Sequence, residues 1–189
     1  MRYHPAVSLA LLLSAGTAVA GSAPSIEGCT ACHGAGTSQT EGVPSLGGMP
    51  ATYITNQLFM FREGQRVADP MNALAEPMSD EDLQAYAALI AALPPPAPQT
   101  ANDDAARIAR SDAAIGKHRC TSCHGRDLGG DKGVPRIAGQ REEYLGRALA
   151  SYKTSDRAGF DPQMNEVASE LTAAEIADLA YGISRNTRR

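Results

Sequence analysis

Apolar residues recur every three or four positions in two stretches of each half of the chain, which is the spacing of an amphipathic helix. The first stretches are Tyr53, Ile54, Gln57, Leu58 and Phe61, and Tyr144, Leu145, Ala148, Leu149 and Tyr152. The second stretches are Leu83, Tyr86, Ala87 and Ile90, and Ile176, Leu179, Ala180 and Ile183. The alternation typical of a strand does not occur. The pattern therefore predicts an all-α fold with long loops that contain glycine and proline.

A helix-capping signal precedes the second stretch of each half. Ser79 is followed three residues later by Asp82, and Thr172 by Glu175. A hydroxyl at the N-cap accepts a hydrogen bond from the backbone N–H three residues on, and a Glu at that position bonds back to the N-cap. We expect a capped helix start at Ser79 and a complete capping box at Thr172.

The first twenty residues have the composition of a secretory signal peptide. Arg2 supplies a positive start, an apolar run covers residues 6–15, and Ala18-Val19-Ala20 is a small-x-small cleavage site. The alternative is an uncleaved anchor, but a run of about ten residues is shorter than the roughly 20 that a spanning helix needs. We expect cleavage after Ala20, export, and no transmembrane segment in the mature chain; peripheral association with a membrane stays open.

The remaining chain contains an internal repeat. Cys29–Gly34 and Cys120–Gly125 have nearly the same sequence and begin 91 positions apart. Further matches follow in the same order: Gly42-Val43-Pro44 with Gly133-Val134-Pro135, Gly48 with Gly139, Tyr53 with Tyr144, and Met71 with Met164. Prolines cluster at 94–98, and such a cluster ends a helix and favours an extended spacer. We expect domains at residues 21–93 and 104–189, joined by a Pro-rich linker at 94–103.

Charge and aromatic content restrict the possible partners and the possible core. The 17 basic and 21 acidic side chains give a net charge of −4 without a basic stripe, so nucleic acid is not an expected partner. The chain has no Trp and only three Phe. Two small domains with so few aromatics lack core-forming bulk, which a large apolar cofactor would supply.

The pattern Cys-x-x-Cys-His occurs twice, at Cys29, Cys32 and His33, and at Cys120, Cys123 and His124. Two thiols at this spacing can bond covalently to one haem, and the following His is placed to ligate its iron, so the pattern predicts two haem c groups. Disulfides, a thioredoxin-type dithiol and a zinc site are alternatives. None of these explains the His after each second Cys.

A methionine stands downstream of each motif, Met71 in the first half and Met164 in the second. A thioether can complete the coordination of haem iron and favours the ferrous state. We therefore expect these two residues to be the sixth ligands, with Met78 as a rival of Met71. The other methionines, Met49 and Met60, and Met78 itself are expected to fill the core.

Three further polar side chains are not expected to take part in the haem sites. His118 stands close to Cys120 on a predicted helix and is expected to be a solvated surface residue. Arg62 and Arg66 could pair with haem carboxylates, but we expect them to be solvated at the end of a helix.

The doubled motifs Cys-x-x-Cys-His-Gly, Gly-Val-Pro, Gly-x-x-x-x-Tyr and Met-x₇-[Ser/Thr]-x-x-[Asp/Glu] resemble those of the dihaem cytochrome c4 family, and each half resembles a class I cytochrome c domain. The resemblance implies a periplasmic carrier with two His/Met haems that delivers electrons to a terminal oxidase. It also implies that the backbone at Pro44 and Pro135 accepts a hydrogen bond from each proximal His. With both irons closed to substrate, the chain is expected to be an electron-transfer protein and not an enzyme.

Two points qualify this interpretation. The chain could instead be the dihaem subunit of a larger periplasmic dehydrogenase, for instance a flavocytochrome sulfide dehydrogenase; in both cases its partners are redox proteins. The first half also departs from the family, because only Gly21–Gly28 would precede Cys29 after cleavage. The helix that precedes the first Cys in domains of this family would therefore be truncated in the first half. This predicts a more exposed first haem and a less stable first domain.

Overall fold

The computed structural model describes Met1 and residues 25–100, 103–157 and 162–186, so the predicted signal peptide lies almost wholly outside the described residues. The described part forms nine helices and no strand, which confirms the predicted all-α class. The first half contains α1 Glu27–His33, α2 Ala51–Arg62, α3 Met71–Ala75 and α4 Asp80–Ala91. The second contains α5 Ala105–Lys117, α6 Thr121–His124, α7 Glu142–Thr154, α8 Gln163–Ser169 and α9 Ala173–Ser184. None of the helices described could cross a membrane.

Each half is built around the predicted apolar faces. In the first half α2 packs against α4, and in the second α9 packs against both α5 and α7. The predicted stripe of α2 is buried throughout, at Tyr53, Ile54, Gln57, Leu58 and Phe61. Leu83, Ala87 and Ile90 of α4, and Leu179, Ala180 and Ile183 of α9, are buried as well. Met49 and Met60, predicted to fill the core, are 5% and 2% exposed.

Both capping signals form complete capping boxes. The Ser79 hydroxyl accepts from the Asp82 N–H at 3.1 Å, and the Asp82 carboxylate accepts from the Ser79 N–H at 2.9 Å. The Thr172 and Glu175 pair makes the same two bonds at 3.1 and 2.8 Å. The shorter Asp side chain thus closes the box as the Glu does, and these bonds lower the pKa of Asp82.

The two halves differ in what covers their last helix. Gly182 of α9 lies so close to α5 that a Cβ built on it would come within 2.3 Å of the Ser111 Cβ. The position that matches Gly182 in the first half is Leu89, whose side chain is 38% exposed. Within the described residues α1 buries no side chain, so nothing there takes the place of α5.

The halves also contact each other directly. The segment 94–100 has no regular secondary structure, and it bonds to both halves: the Ala97 N–H donates to the Thr37 hydroxyl at 3.1 Å, and the Gln99 N–H donates to the Ser184 carbonyl at 2.9 Å. Side chains of the second half reach the first as well, including Gln140 to Ser45. The relative placement of the halves is therefore held by hydrogen bonds as well as by chain connectivity.

Gly182→Ala should lower the free energy of unfolding by about 1–3 kcal/mol, because overpacking the α5–α9 contact forces the helices apart. The measurement is denaturant unfolding of the haem-loaded protein. Gly116→Ala is the matched control, since a Cβ there meets nothing within 4 Å and Ala is the better helix former. Equal effects of the two substitutions would contradict the prediction.

Native-state hydrogen exchange should show stronger protection around Cys120 than around Cys29. The reason is that α5 buries Ser111, Ala114 and Ile115 next to the second motif, while α1 buries nothing. Regions with few buried contacts open locally at low free-energy cost. Greater protection around Cys29 would show that the first half is not the weaker one.

Candidate functional site

A short helical segment carries each Cys-x-x-Cys-His motif. Cys29, Cys32 and His33 lie in α1, while Cys120 precedes α6 and Cys123 and His124 lie within it. Residues three and four apart lie on the same face of a helix, which brings both thiols and the imidazole of a motif to one side. None of the four cysteines forms a disulfide, and burial raises the pKa of the Cys29 and Cys120 thiols.

Both histidine rings are held by a proline carbonyl eleven residues further on. Nδ1 of His33 donates to the Pro44 carbonyl at 2.7 Å, and Nδ1 of His124 donates to the Pro135 carbonyl at 2.9 Å. Burial lowers the pKa of both rings, although each proline carbonyl acts in the opposite direction. Each imidazole is therefore neutral, with Nε2 as its available ligand atom, which is the form that binds iron.

The second half encloses a cavity of about 500 Å³. Cys120, Cys123, His124 and Met164 all line it, although Met164 is 40 residues away from His124 in the chain. The structure thus brings these four predicted site residues together. The remaining wall is largely apolar and includes Leu145, Leu149, Val167, Leu171, Leu179 and Ile183.

In the first half the corresponding residues are more open. His33 is only half-buried, whereas His124 is 8% exposed. The cysteines do not differ in this way, since Cys32 and Cys123 are both exposed. Met71 and Met78 are both partly buried and both pack against the first-half core. Met71 begins α3, and Met78 precedes the cap of α4, so the two thioethers come from neighbouring elements.

The prediction that His118 is a solvated surface residue is wrong. Its side chain is 3% exposed, and Nε2 lies 3.1 Å from the Glu175 carboxylate. The cause is tertiary: α5 packs on α9, so the end of α5 meets the capped start of α9. The same packing makes His118 part of the cavity wall beside Cys120.

The expectation of solvated guanidinium groups at Arg62 and Arg66 is also wrong. Arg62 is bonded to the carboxylates of Glu63 and Asp80, with its side chain 17% exposed. Arg66 lies over the Phe61 ring and donates to the Gln57 side-chain carbonyl. Arg62 is therefore already paired with acids, whereas Arg66 has only neutral partners among the described residues.

Sequence reasoning missed a cationic cluster where the halves meet. Arg157 is 8% exposed and donates to the hydroxyls of Tyr53 at 3.0 Å and Tyr144 at 3.1 Å. Arg66 lies 3.5 Å from the same Tyr144 hydroxyl. Among the described residues no carboxylate pairs with Arg157, and its Nε is buried without a partner. Burial alone would raise the pKa of Tyr144, but the two guanidinium groups lower it to about 8.

The internal repeat contains a sequence signal from which this cluster could have been predicted. Arg66 and Arg157 are 91 positions apart, and so are Tyr53 and Tyr144. Equivalent residues of a duplicated chain meet when its halves pack face to face about a twofold axis. Arg157 is a buried cation with no carboxylate partner among the described residues, and the partly buried Arg66 lies close to it. This arrangement suits an anionic group, because an uncompensated buried charge is costly.

Comparisons with known proteins agree with this geometry. The cytochrome c family model matches residues 108–183. The chain is 33% identical to the thiosulfate dehydrogenase electron acceptor of Thiomonas intermedia, with 93% of this chain and 86% of that protein covered. It is 30% identical to cytochrome c4 of Pseudomonas aeruginosa, with 88% and 87% covered. The crystal structure of reduced cytochrome c4 from Pseudomonas stutzeri superposes with a TM-score of 0.78 at 26% identity, covering 85% of this chain and 94% of that one.

The residues of the second-half cavity fit the haem that these relatives imply. Two thiols, a neutral imidazole and a thioether face one apolar space, which matches the covalent anchors and axial ligands of haem c. Arg157 also lines the cavity, and a cation without a carboxylate partner among the described residues suits the carboxylates of a haem. The donor set and the charge both suit the cofactor.

Proposed function

Because the chain belongs to the dihaem cytochrome c4 family, we propose that it carries electrons through the periplasm between redox proteins of a respiratory chain. Two covalently bound haem c groups are its cofactors, and each supplies a one-electron couple between ferrous and ferric iron. The convergence of Cys120, Cys123, His124 and Met164 on one cavity is the observation that carries this proposal.

Each predicted site residue has a distinct task in this function. Cys29 and Cys32 hold one haem, and Cys120 and Cys123 hold the other. His33 and Met71 would ligate the first iron, and His124 and Met164 would ligate the second. A His and a Met on each iron would leave no coordination site for a substrate, so each haem would supply outer-sphere electron transfer.

The surrounding residues orient and tune these ligands. The carbonyls of Pro44 and Pro135 fix the planes of the two imidazoles and increase their basicity. Arg66 and Arg157 would bind the haem carboxylates where the halves meet, which would compensate the charge of the buried Arg157. We place the domains at residues 21–93 and 104–189, with residues 94–103 joining them, and export through a signal peptide at residues 1–20.

A thiosulfate dehydrogenase is a second candidate partner, as electron donor. The relative from Thiomonas intermedia is named for accepting electrons from that enzyme, and it matches nearly the whole chain. In this case the chain is the electron-accepting partner of a dehydrogenase, as the alternative based on sulfide oxidation also supposed. Delivery to a terminal oxidase is compatible with it, because one carrier can join a donor to an acceptor.

A redox titration followed by visible spectroscopy should show two low-spin haems with the Met–iron charge-transfer band. Met164→Ala and Met71→Ala should each remove about half of that band, add a high-spin component and lower the potential of one haem, because the thioether stabilises ferrous iron. Met78→Leu is the matched control, since Leu171 occupies its position in the second half. Loss of the band in Met78→Leu would assign the first iron to Met78 instead.

Rapid mixing with a thiosulfate dehydrogenase and thiosulfate should reduce both haems within the enzyme's turnover time. Co-purification then separates the two roles: a stable dehydrogenase complex indicates a subunit, and a free monomer indicates a mobile carrier. Reduction by a quinol-oxidising complex but not by the dehydrogenase would exclude the second candidate.

A further inference from the structure

We propose that Gln140, which belongs to the second half, is a positioning residue for the haem of the first half. It acts on the one peptide group that holds the His33 ring. The inference rests on the proposed function, because it takes His33 as an axial ligand of the first iron. It goes further by assigning a residue that tunes one haem from the opposite half of the molecule.

The geometry is a pair of hydrogen bonds from one side chain to one backbone residue. The Gln140 Oε1 accepts from the Ser45 N–H at 2.8 Å, and its Nε2 donates to the Ser45 carbonyl at 2.9 Å. Gln140 is 1% exposed and Ser45 is fully buried. Water cannot easily replace these bonds, so breaking them leaves buried polar groups unsatisfied.

The Ser45 N–H and the Pro44 carbonyl belong to the same peptide group. The Pro44 oxygen accepts the hydrogen bond from Nδ1 of His33 at 2.7 Å. An acceptor on the N–H side of an amide polarises it and makes its oxygen a stronger acceptor. Gln140 therefore strengthens the hydrogen bond made by His33, in addition to fixing the position of the carbonyl.

The loop around this peptide is attached to the second half at more than one point. The Ser45 hydroxyl accepts from the Ser38 N–H at 2.9 Å, and the Ser38 hydroxyl donates to the Cys32 carbonyl at 3.0 Å. Arg141, next to Gln140, donates to the Ser38 carbonyl at 2.7 Å. The second half thus supports the segment that runs from a haem-anchoring cysteine to the histidine's acceptor.

The second half has no equivalent support from the first. The position that matches Gln140 is Met49, whose thioether offers no comparable pair of bonds, and the peptide that matches Pro44–Ser45 is Pro135–Arg136. Among the described residues no side chain accepts from the Arg136 N–H. The loop there is held from within, for instance by the Ile137 N–H to the Leu128 carbonyl at 2.9 Å.

A stronger hydrogen bond from Nδ1 gives the imidazole more anionic character, which stabilises ferric iron. Gln140 should therefore lower the potential of the first haem. Because Gln140 also lines the cavity of the second half, the potential of the second haem should shift by less. The test is Gln140→Met, which installs the residue of the matching position and nearly conserves volume. At a fixed applied potential, the ferrous-to-ferric ratio of the first haem should rise about twofold to tenfold, the scale of one hydrogen bond.

Two further variants and a spectroscopic signal make the test specific. Gln140→Glu keeps an acceptor for the Ser45 N–H and should not raise the ratio. Arg147→Ala removes another hydrogen bond between the halves, the one to the Gly42 carbonyl. This variant should leave the potential of the first haem unchanged relative to that of the second. In NMR spectra of the ferrous protein, the His33 Nδ1 proton should exchange faster with solvent in Gln140→Met than in the wild type.

The outcomes separate this inference from the proposed function. A wild-type protein without two low-spin, histidine-ligated haems would overturn the proposed function. If the wild type contains both haems but Gln140→Met leaves the ferrous-to-ferric ratio of the first haem unchanged, the inference alone is overturned. Equal shifts in the potentials of both haems would also overturn the inference, and so would the same shift in Arg147→Ala. Either result would indicate a general weakening of the contact between the halves.

Discussion

Buried polar side chains must find partners, and in this molecule the decisive ones find them across the contact between the two halves. Gln140 pairs with the backbone of Ser45, and Arg157 pairs with Tyr53. Separating the halves would break these hydrogen bonds and leave their polar groups without partners, so the relative placement of the halves is costly to change. The geometry of both haem sites depends on this contact, since the cavity of the second half is partly walled by the first.

The internal duplication explains how such a contact arises. Arg66 and Arg157 occupy matching positions, and the contact between the halves brings both to the same Tyr144 hydroxyl. One favourable residue in an ancestral domain is thus used twice at one place. The result is a concentrated positive charge within the protein, where screening by water is weak.

Departures from the duplication are equally informative, because they make the two sites different. Gly182 admits α5 against α9, whereas its counterpart Leu89 stays partly exposed. Gln140 reaches the opposite half, whereas its counterpart Met49 lies in an apolar core. The two proposed haem sites can therefore differ in burial and in the strength of the hydrogen bond to their histidine. A carrier with unequal haems has a preferred direction for the electron between them.

The sequence by itself predicted helices α2, α4, α7 and α9, most of the buried residues of α2, α4 and α9, the helix caps at Ser79 and Thr172, the repeat and the two haem motifs. These features depend on residues within a few positions of each other, so local spacing is enough to predict them. The burial of His118 and the cluster around Arg157 depend on which helix packs against which. Contacts between residues 57 to 104 positions apart have no local pattern, and only the tertiary structure decided them. The same is true of Gln140, whose partner lies 95 residues away in the other half.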